Sequence, residues 1–293
     1  FMIGGVGADE IMDLEVDASG SVYITGSFTG SAEFRGTEVS SFPNVTSFGS
    51  IDAFYAKYDS DGKFQWIHED GGAGDDQGSK LEIINSTLVV AGVYESSGVT
   101  EIADSIPVAY GGKDIFLIGS DLNGVSLWNA SGGSDDDDWI GGLAGESDSI
   151  YVAVNFTGNT MSYTDFTSIA SPGQLNTLIP FVDVSIGSFG LTTGSYGWVR
   201  ELQGASNDYC FDMIANTSQL VLCGSYSGAL IMPSLGTGPF TMGLSYDAYT
   251  LGLDHDGGDG LWFCAEQTVG MTDAHARSLD FDQSGNIIVG GDF

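Results

Sequence analysis

The chain has 293 residues, 42% of them hydrophobic and 12% aromatic, which is too apolar for a disordered polymer and long enough for a large core. A formal charge of −33 with only seven Lys and Arg excludes nucleic acid as a partner and disfavours an anionic membrane surface, because both need cations set against phosphate. No apolar run reaches the roughly 18 residues that a membrane-spanning helix needs.

In chain order, the first unit is expected to hold four strands near Ile11–Val16, Val22–Phe28, Phe54–Tyr58 and Phe64–Ile67. The runs are rich in Val, Ile, Tyr and Phe and bounded by Gly, Asp, Asn and Ser, which marks strands. Asp17-Ala18-Ser19-Gly20 and Asp59-Ser60-Asp61-Gly62 carry hairpin-turn chemistry. The apolar–small–aromatic segment at Val22–Phe28 returns at 88–94, 150–156, 220–226 and 287–293, with starts 66, 62, 70 and 67 residues apart. Trp66, Trp128, Trp198 and Trp262 keep the same register, 62, 70 and 64 residues apart. A Gly element follows each Trp, at Gly71-Gly72, Gly132-Gly133, Gly204 and Gly270, and a copy without its Trp opens the chain at Gly4-Gly5. Asp9, Asp76, Asp137, Asp208 and Asp273 come three or four residues after each Gly element. A further strand precedes three of the Trp strands, at 52–59, 114–118 and 247–251; the third copy departs from this with Leu178-Ile179-Pro180-Phe181-Val182-Asp183.

A four-stranded antiparallel unit repeated at this period predicts an all-β fold, a β-propeller-like array of blades at about 10–69, 77–130, 138–201 and 209–265, with a partial fifth at 274–293. One blade cannot bury both faces, so stacking fills the space between sheets with the Trp and apolar runs. The pattern starts and stops partway through a unit, so residues 1–293 read as one repeat region from a longer chain.

Gly71-Gly72-Ala73-Gly74-Asp75-Asp76, Val22–Phe28, Asp52–Asp59, Asp61-Gly62 and Trp66 resemble the SBBP family of β-propeller repeats. The resemblance covers the whole chain, strongest in the first unit and weakest in the third. It implies a propeller and a secreted or surface location, with no shared catalytic site.

Candidate sites follow. Asn44, Asn85, Asn129, Asn155 and Asn216 each begin an Asn-x-Ser/Thr glycosylation sequon, which points outside the cell. Cys210 and Cys223 fall on the first two strands of the fourth unit; a disulfide and two small buried apolar residues are both open readings, with Cys264 left over. Calcium is the candidate cofactor, a hard cation for the acidic loops holding Asp59, Asp61, Asp254 and Asp256 or for the recurring Asp after the Gly element; Asx turns explain the same residues without a metal. His68, His255 and His275 occupy unrelated repeat positions, and Gly224-Ser225-Tyr226-Ser227-Gly228 has Tyr where a nucleophile elbow needs Ser, so no enzyme is expected. The leading expectation is an extracellular structural or adhesive glycoprotein that self-associates, as in a filament or coat. The alternative is a calcium-dependent propeller that binds carbohydrate or another ligand, and a propeller glycoside hydrolase comes third.

Overall fold

The computed structural model describes residues 2–37, 42–95, 110–158, 161–165, 181–204, 206–231, 240–241, 245–266 and 273–292. Every regular element among them is a β-strand, so the all-β expectation holds. Among the described residues no helix is long and apolar enough to cross a membrane.

The chain divides into two compact units. One comprises Phe1–Gly133 with Thr164–Ile169 and Leu191–Ser195, and the other Ser134–Tyr163, Ala170–Gly190 and Tyr196–Phe293. In the first unit, Asp9–Val16, Val22–Phe28, Asp52–Tyr58 and Phe64–Asp70 form one antiparallel sheet in sequence order. Gln77–Ile84, Thr87–Glu95, Lys113–Asp121 and Ser126–Gly133 form the next in the same order. Tyr23, Ala53 and Tyr55 of the first sheet pack on Leu81, Leu88, Val90, Tyr94, Phe116 and Ile118 of the second. In the second unit the third sheet is Asp138–Glu146, Ser149–Phe156, Asp183–Gly190 and Tyr196–Gly204, and the fourth is Asp208–Asn216, Gln219–Tyr226, Asp247–Leu253 and Gly260–Glu266. These two share a core containing Tyr151, Val184, Ile186, Leu202, Met213, Leu222 and Tyr249. A hairpin, His275–Phe281 with Ile287–Asp292, covers the other face of the fourth sheet through Ala276 and Leu279. The irregular third copy resolves here: its third strand starts at Asp183, while 178–180 and Gly270 lie outside the described residues.

The repeat is visible in the backbone irregularities as well as in the strands. The first strand of each of the four repeated sheets and of the last hairpin carries a bulge at one place: between Ile11 and Asp13, Gly78 and Lys80, Ile140 and Gly142, Cys210 and Asp212, and Ala276 and Ser278. A bulge adds local twist. The turns repeat too. In Asp17–Gly20, Asp59–Gly62, Asp121–Gly124 and Asp282–Gly285 the Gly N–H donates to the Asp carbonyl. Each of these Gly has φ between 74° and 82°, the left-handed region that only Gly enters without strain.

Three of the four periodic Trp rest on the next turn. Trp66 lies against Gly124, Trp128 against Gly194 and Trp198 against Gly258, so close that a Cβ at Gly194 or Gly258 would come within 2.5 Å of the indole. Trp128 Nε1 donates to Leu191 O at 2.7 Å and Trp198 Nε1 to His255 O at 2.9 Å. The Trp period is therefore a sheet-to-sheet contact.

One feature lay in what the sequence presented as loops. After the second strand, Ser31–Arg35 and Asn44–Thr46 form a small hairpin whose first strand pairs with Met2–Gly5. Ala229–Ile231 with Phe240–Thr241 repeats this against the end of Tyr196–Gly204. Ala32 and Phe34 are buried in the first hairpin, and their alternation with Ser31, Glu33 and Arg35 was its sequence signal.

Candidate functional site at the sheet junctions

Neighbouring sheets are stapled by one recurring main-chain hydrogen bond. Asp76 N donates to Ile51 O at 2.8 Å, Asp208 N to Val182 O at 2.8 Å, and Ala274 N to Tyr246 O at 2.9 Å. In each case the N–H begins a first strand and the carbonyl precedes the third strand of the sheet before. The next residue on that third strand is Asp52, Asp183 or Asp247, so the staple gathers carboxylates at the seam.

The same carboxylates frame an aromatic ring within each sheet. Phe28 lies between Asp9 and Asp52, Phe156 between Asp138 and Asp183, and Tyr226 between Asp208 and Asp247. Tyr94 faces Asp114 on one side, and on the other Asp76 caps the strand by accepting Glu95 N at 3.1 Å. The register corrects two sequence assignments. Asp138, not Asp137, holds the third position, because an additional residue separates it from its Gly element. Ala274 holds the fifth, with Asp273 one residue earlier accepting Tyr246 N.

Asp52, Asp76, Asp114, Asp138, Asp183, Asp208 and Asp247 are all buried. Some are satisfied by N–H donors: Gly72 N on Asp76 at 2.7 Å, Tyr110 N on Asp114 at 2.9 Å, Ser134 N on Asp138 at 2.6 Å and Gly204 N on Asp183 at 3.2 Å. Burial nevertheless dominates. It pushes Asp76, Asp114 and Asp183 each up to about 6, partly opposed by those N–H bonds. Asp208 rises to about 9, through burial first and then repulsion from Asp183. Asp52 is raised by burial against the N–H bonds of Phe48 and Gly49.

The sign of the pH dependence follows. A carboxyl whose folded value lies above its ordinary 3.8 binds its proton more tightly when folded. Its contribution is therefore complete below that ordinary value and is lost as pH rises through the folded value. The window runs up to about 6 for Asp76, Asp114 and Asp183 and to about 9 for Asp208. The thermal midpoint of the chain is expected to climb as pH is lowered from 9 to 5, as followed by circular dichroism at fixed ionic strength. A midpoint that falls over that range would contradict this assignment.

The sequence-predicted cation ligands have other partners. Asp59 Oδ1 accepts the N–H of Asp61 and of Lys63, at 3.0 and 2.9 Å, and its Oδ2 accepts Gln65 Nε2. Asp61 pairs with Lys63 on the surface. Asp254 Oδ1 caps Gly257 N at 2.8 Å. Among the described residues no group of three or more His, Cys, Asp or Glu is arranged to hold a metal. Asp254 and Asp256 do line an acidic groove of about 500 Å³ with Glu146, Asp148, Thr217 and Ser218, where Tyr151 Oη and His255 Nδ1 share a hydrogen bond of 3.0 Å. The other two histidines also sit against rings, His68 stacked on Tyr55 and His275 beside Phe211 and Tyr246.

Of the sequons, Asn44 and Asn85 are exposed and Asn216 is half-buried in its turn, its Oδ1 accepting the Ser218 and Gln219 N–H groups. Asn129 and Asn155 are corrected as glycan acceptors: both are buried, where no glycan fits. Asn155 is instead a clamp between the third and fourth sheets, accepting Cys210 N at 2.7 Å and donating to Cys210 O at 2.9 Å. Asn155→Ala would remove both bonds, and urea unfolding should show a loss of about 2–3 kcal/mol. A neutral result would mean that the clamp is dispensable.

Of the two open readings of Cys210 and Cys223, the disulfide is corrected: the two are buried without a bond between them and enter different clusters, Cys210 with Met213 and Tyr249 and Cys223 with Ala274 and Ala276. The bulge pairs Cys210 with Gly224, so Cys223, one position along, points to the opposite face. Cys264 is exposed.

No protein-family model matches the chain, and no curated protein matches it significantly.

Proposed function

We propose that this chain is a structural repeat protein of the extracellular surface, its sheets serving as blades of a β-propeller-like array of the SBBP type. One observation carries the reading. Beyond the strands, bulges and turns that shape each sheet, three features that recur with the repeat join one sheet to the next: the main-chain staple, the Trp seated on a turn Gly, and the junction carboxylates. Repetition spent on cohesion is what a scaffold needs, and no catalytic role is proposed. The sequons at Asn44, Asn85 and Asn216 support an extracellular glycoprotein, and self-association into a filament or coat is the form proposed. Cryo-microscopy and sedimentation of native material, with glycopeptide mass spectrometry, test it. Assemblies carrying glycan at Asn85 or Asn44 are expected, and a strictly monomeric, unglycosylated protein defeats the proposal.

The acidic groove around Asp254 and Asp256 favours a second reading, calcium-dependent recognition of carbohydrate. Glycan-array binding abolished by a chelator would promote it over the scaffold.

A further inference from the structure

We propose that the carboxyl pairs Asp52–Asp76 and Asp183–Asp208 are proton-operated locks, each holding two neighbouring sheets together while one member keeps its proton and loosening the seam once both members ionise. The inference goes beyond the scaffold reading and does not depend on how many blades exist or what they bind.

The geometry comes from the staple. Asp76 N and Asp208 N bond the carbonyls of Ile51 and Val182, and those residues immediately precede Asp52 and Asp183. The hydrogen bond that ties the sheets thus delivers two carboxyls to one seam, once in each unit. At the second seam Asp208 is fully buried, and among the described residues neither of its carboxyl oxygens has a hydrogen-bond partner. The nearby Ser227 N–H is committed to Asn207 O and offsets the cost of charging Asp208 only in part. The titratable groups that face it are Asp183 on the third sheet, Asp247, Tyr226 and Tyr249 on its own sheet, and Tyr209 beside it. None of them is basic. At the first seam Asp76 faces Asp52, Asp75 and, across Tyr94, Asp114; Lys113 lies 4.0 Å from Asp75 at the exposed rim. Asp52 Oδ1 is buried there with no partner among the described residues. At the first seam N–H groups bond Asp76 and Asp52, and at the second one bonds Asp183, but these offset burial only in part. A buried carboxylate with a like charge beside it and no cation is costlier than a neutral acid, so each pair retains a proton. Its release to solvent leaves two like charges in a low-dielectric seam, next to the bond that closes it.

The last junction offers an internal reference. There Ala274 takes the place of the second carboxyl while the staple to Tyr246 O persists.

The test is amide hydrogen exchange of the whole chain between pH 5 and 9, corrected for intrinsic rates. The Asp208 and Asp76 amides are expected to lose protection as pH rises, by up to about tenfold per pH unit where one proton is released. The Ala274 amide should hold its protection. In Asp208→Asn and Asp76→Asn the corresponding amide should stay protected at pH 8 to within about threefold of its pH 5 value. An unchanged pH profile in these variants overturns the proposal. Should Asp208→Asn fail to fold, Asp183→Asn reads the same pair. Independently, infrared spectroscopy of the wild type should show a protonated carboxyl band at pH 7, and its absence overturns the lock. Protection restored at pH 8 by calcium alone also overturns it, by assigning the pair to a metal ion.

Discussion

Gly224→Val is expected to destabilise the chain by about 3–5 kcal/mol, and Gly224→Ala to show much of that loss. A Cβ at position 224 would lie 1.8 Å from Tyr209 O and 2.8 Å from Tyr209 C. Those are main-chain atoms inside the sheet, so no rotamer change relieves the contact. The cause is the bulge between Cys210 and Asp212, which pushes the first strand towards the second where Gly224 faces it. The other units repeat the collision: 1.9 Å from Glu10 O at Gly26, 2.3 Å from Gln77 O at Gly92, and 2.0 Å from His275 O at Gly291. In the third sheet the matching residue is Val154, which faces Ile140, and glycines stand instead on the bulged strand at Gly141 and Gly142. Equilibrium urea unfolding checks the series. A Gly224→Ala protein within about 1 kcal/mol of wild type would mean that the bulge is plastic and the argument fails.

That case shows what the sequence disclosed and what it withheld. The small residue before each aromatic was plain as a pattern, because strands write their contacts at period two and the repeat copies them. Its reason was not, because the collision is with a neighbouring backbone that has no sequence signature of its own. The Trp spacing was likewise legible as a period, while its partner, a turn glycine on the following sheet, lay some 60 residues on. The carboxylates divided the same way. Asp59 advertised a cation loop and proved to cap its own turn, since Asx chemistry and metal ligation draw on the same residues. Asp52 and Asp183 read only as parts of strand segments, yet the staples bring them to Asp76 and Asp208. Asn155 and Cys210 matched a sequon and a disulfide position, and only the register exposed them as a single clamp. Local motifs were readable wherever the chain acts on itself nearby. Junction chemistry was not, because it depends on which sheet lies next.

Trp128→Ala is expected to be among the most damaging single truncations in the first unit, at about 3–5 kcal/mol. Trp128 is buried, whereas Trp66 in the equivalent place of the preceding sheet is only half-buried. Its ring fills the space above two glycines at once: a Cβ at Gly119 would stand 2.2 Å from the indole and one at Gly194 2.5 Å from it. Neither glycine can fill the void left by truncation, and Gly194, at φ 62°, has no unstrained way to accept a larger residue. The mutation also strands the Leu191 carbonyl, which receives the indole N–H at 2.7 Å. Trp128→Phe separates the two effects. It restores most of the ring and should recover all but about 1–2 kcal/mol, the cost of an unpaired buried carbonyl plus the smaller ring. Trp66→Ala should cost distinctly less than Trp128→Ala, because solvent already reaches Trp66 and its Nε1 has no partner to lose. Urea unfolding of the three variants, read by circular dichroism so that losing a tryptophan does not remove the signal, settles the ranking. Equal losses at Trp66 and Trp128 would show that the indole acts through simple area and that its seat on the turn glycine does not matter.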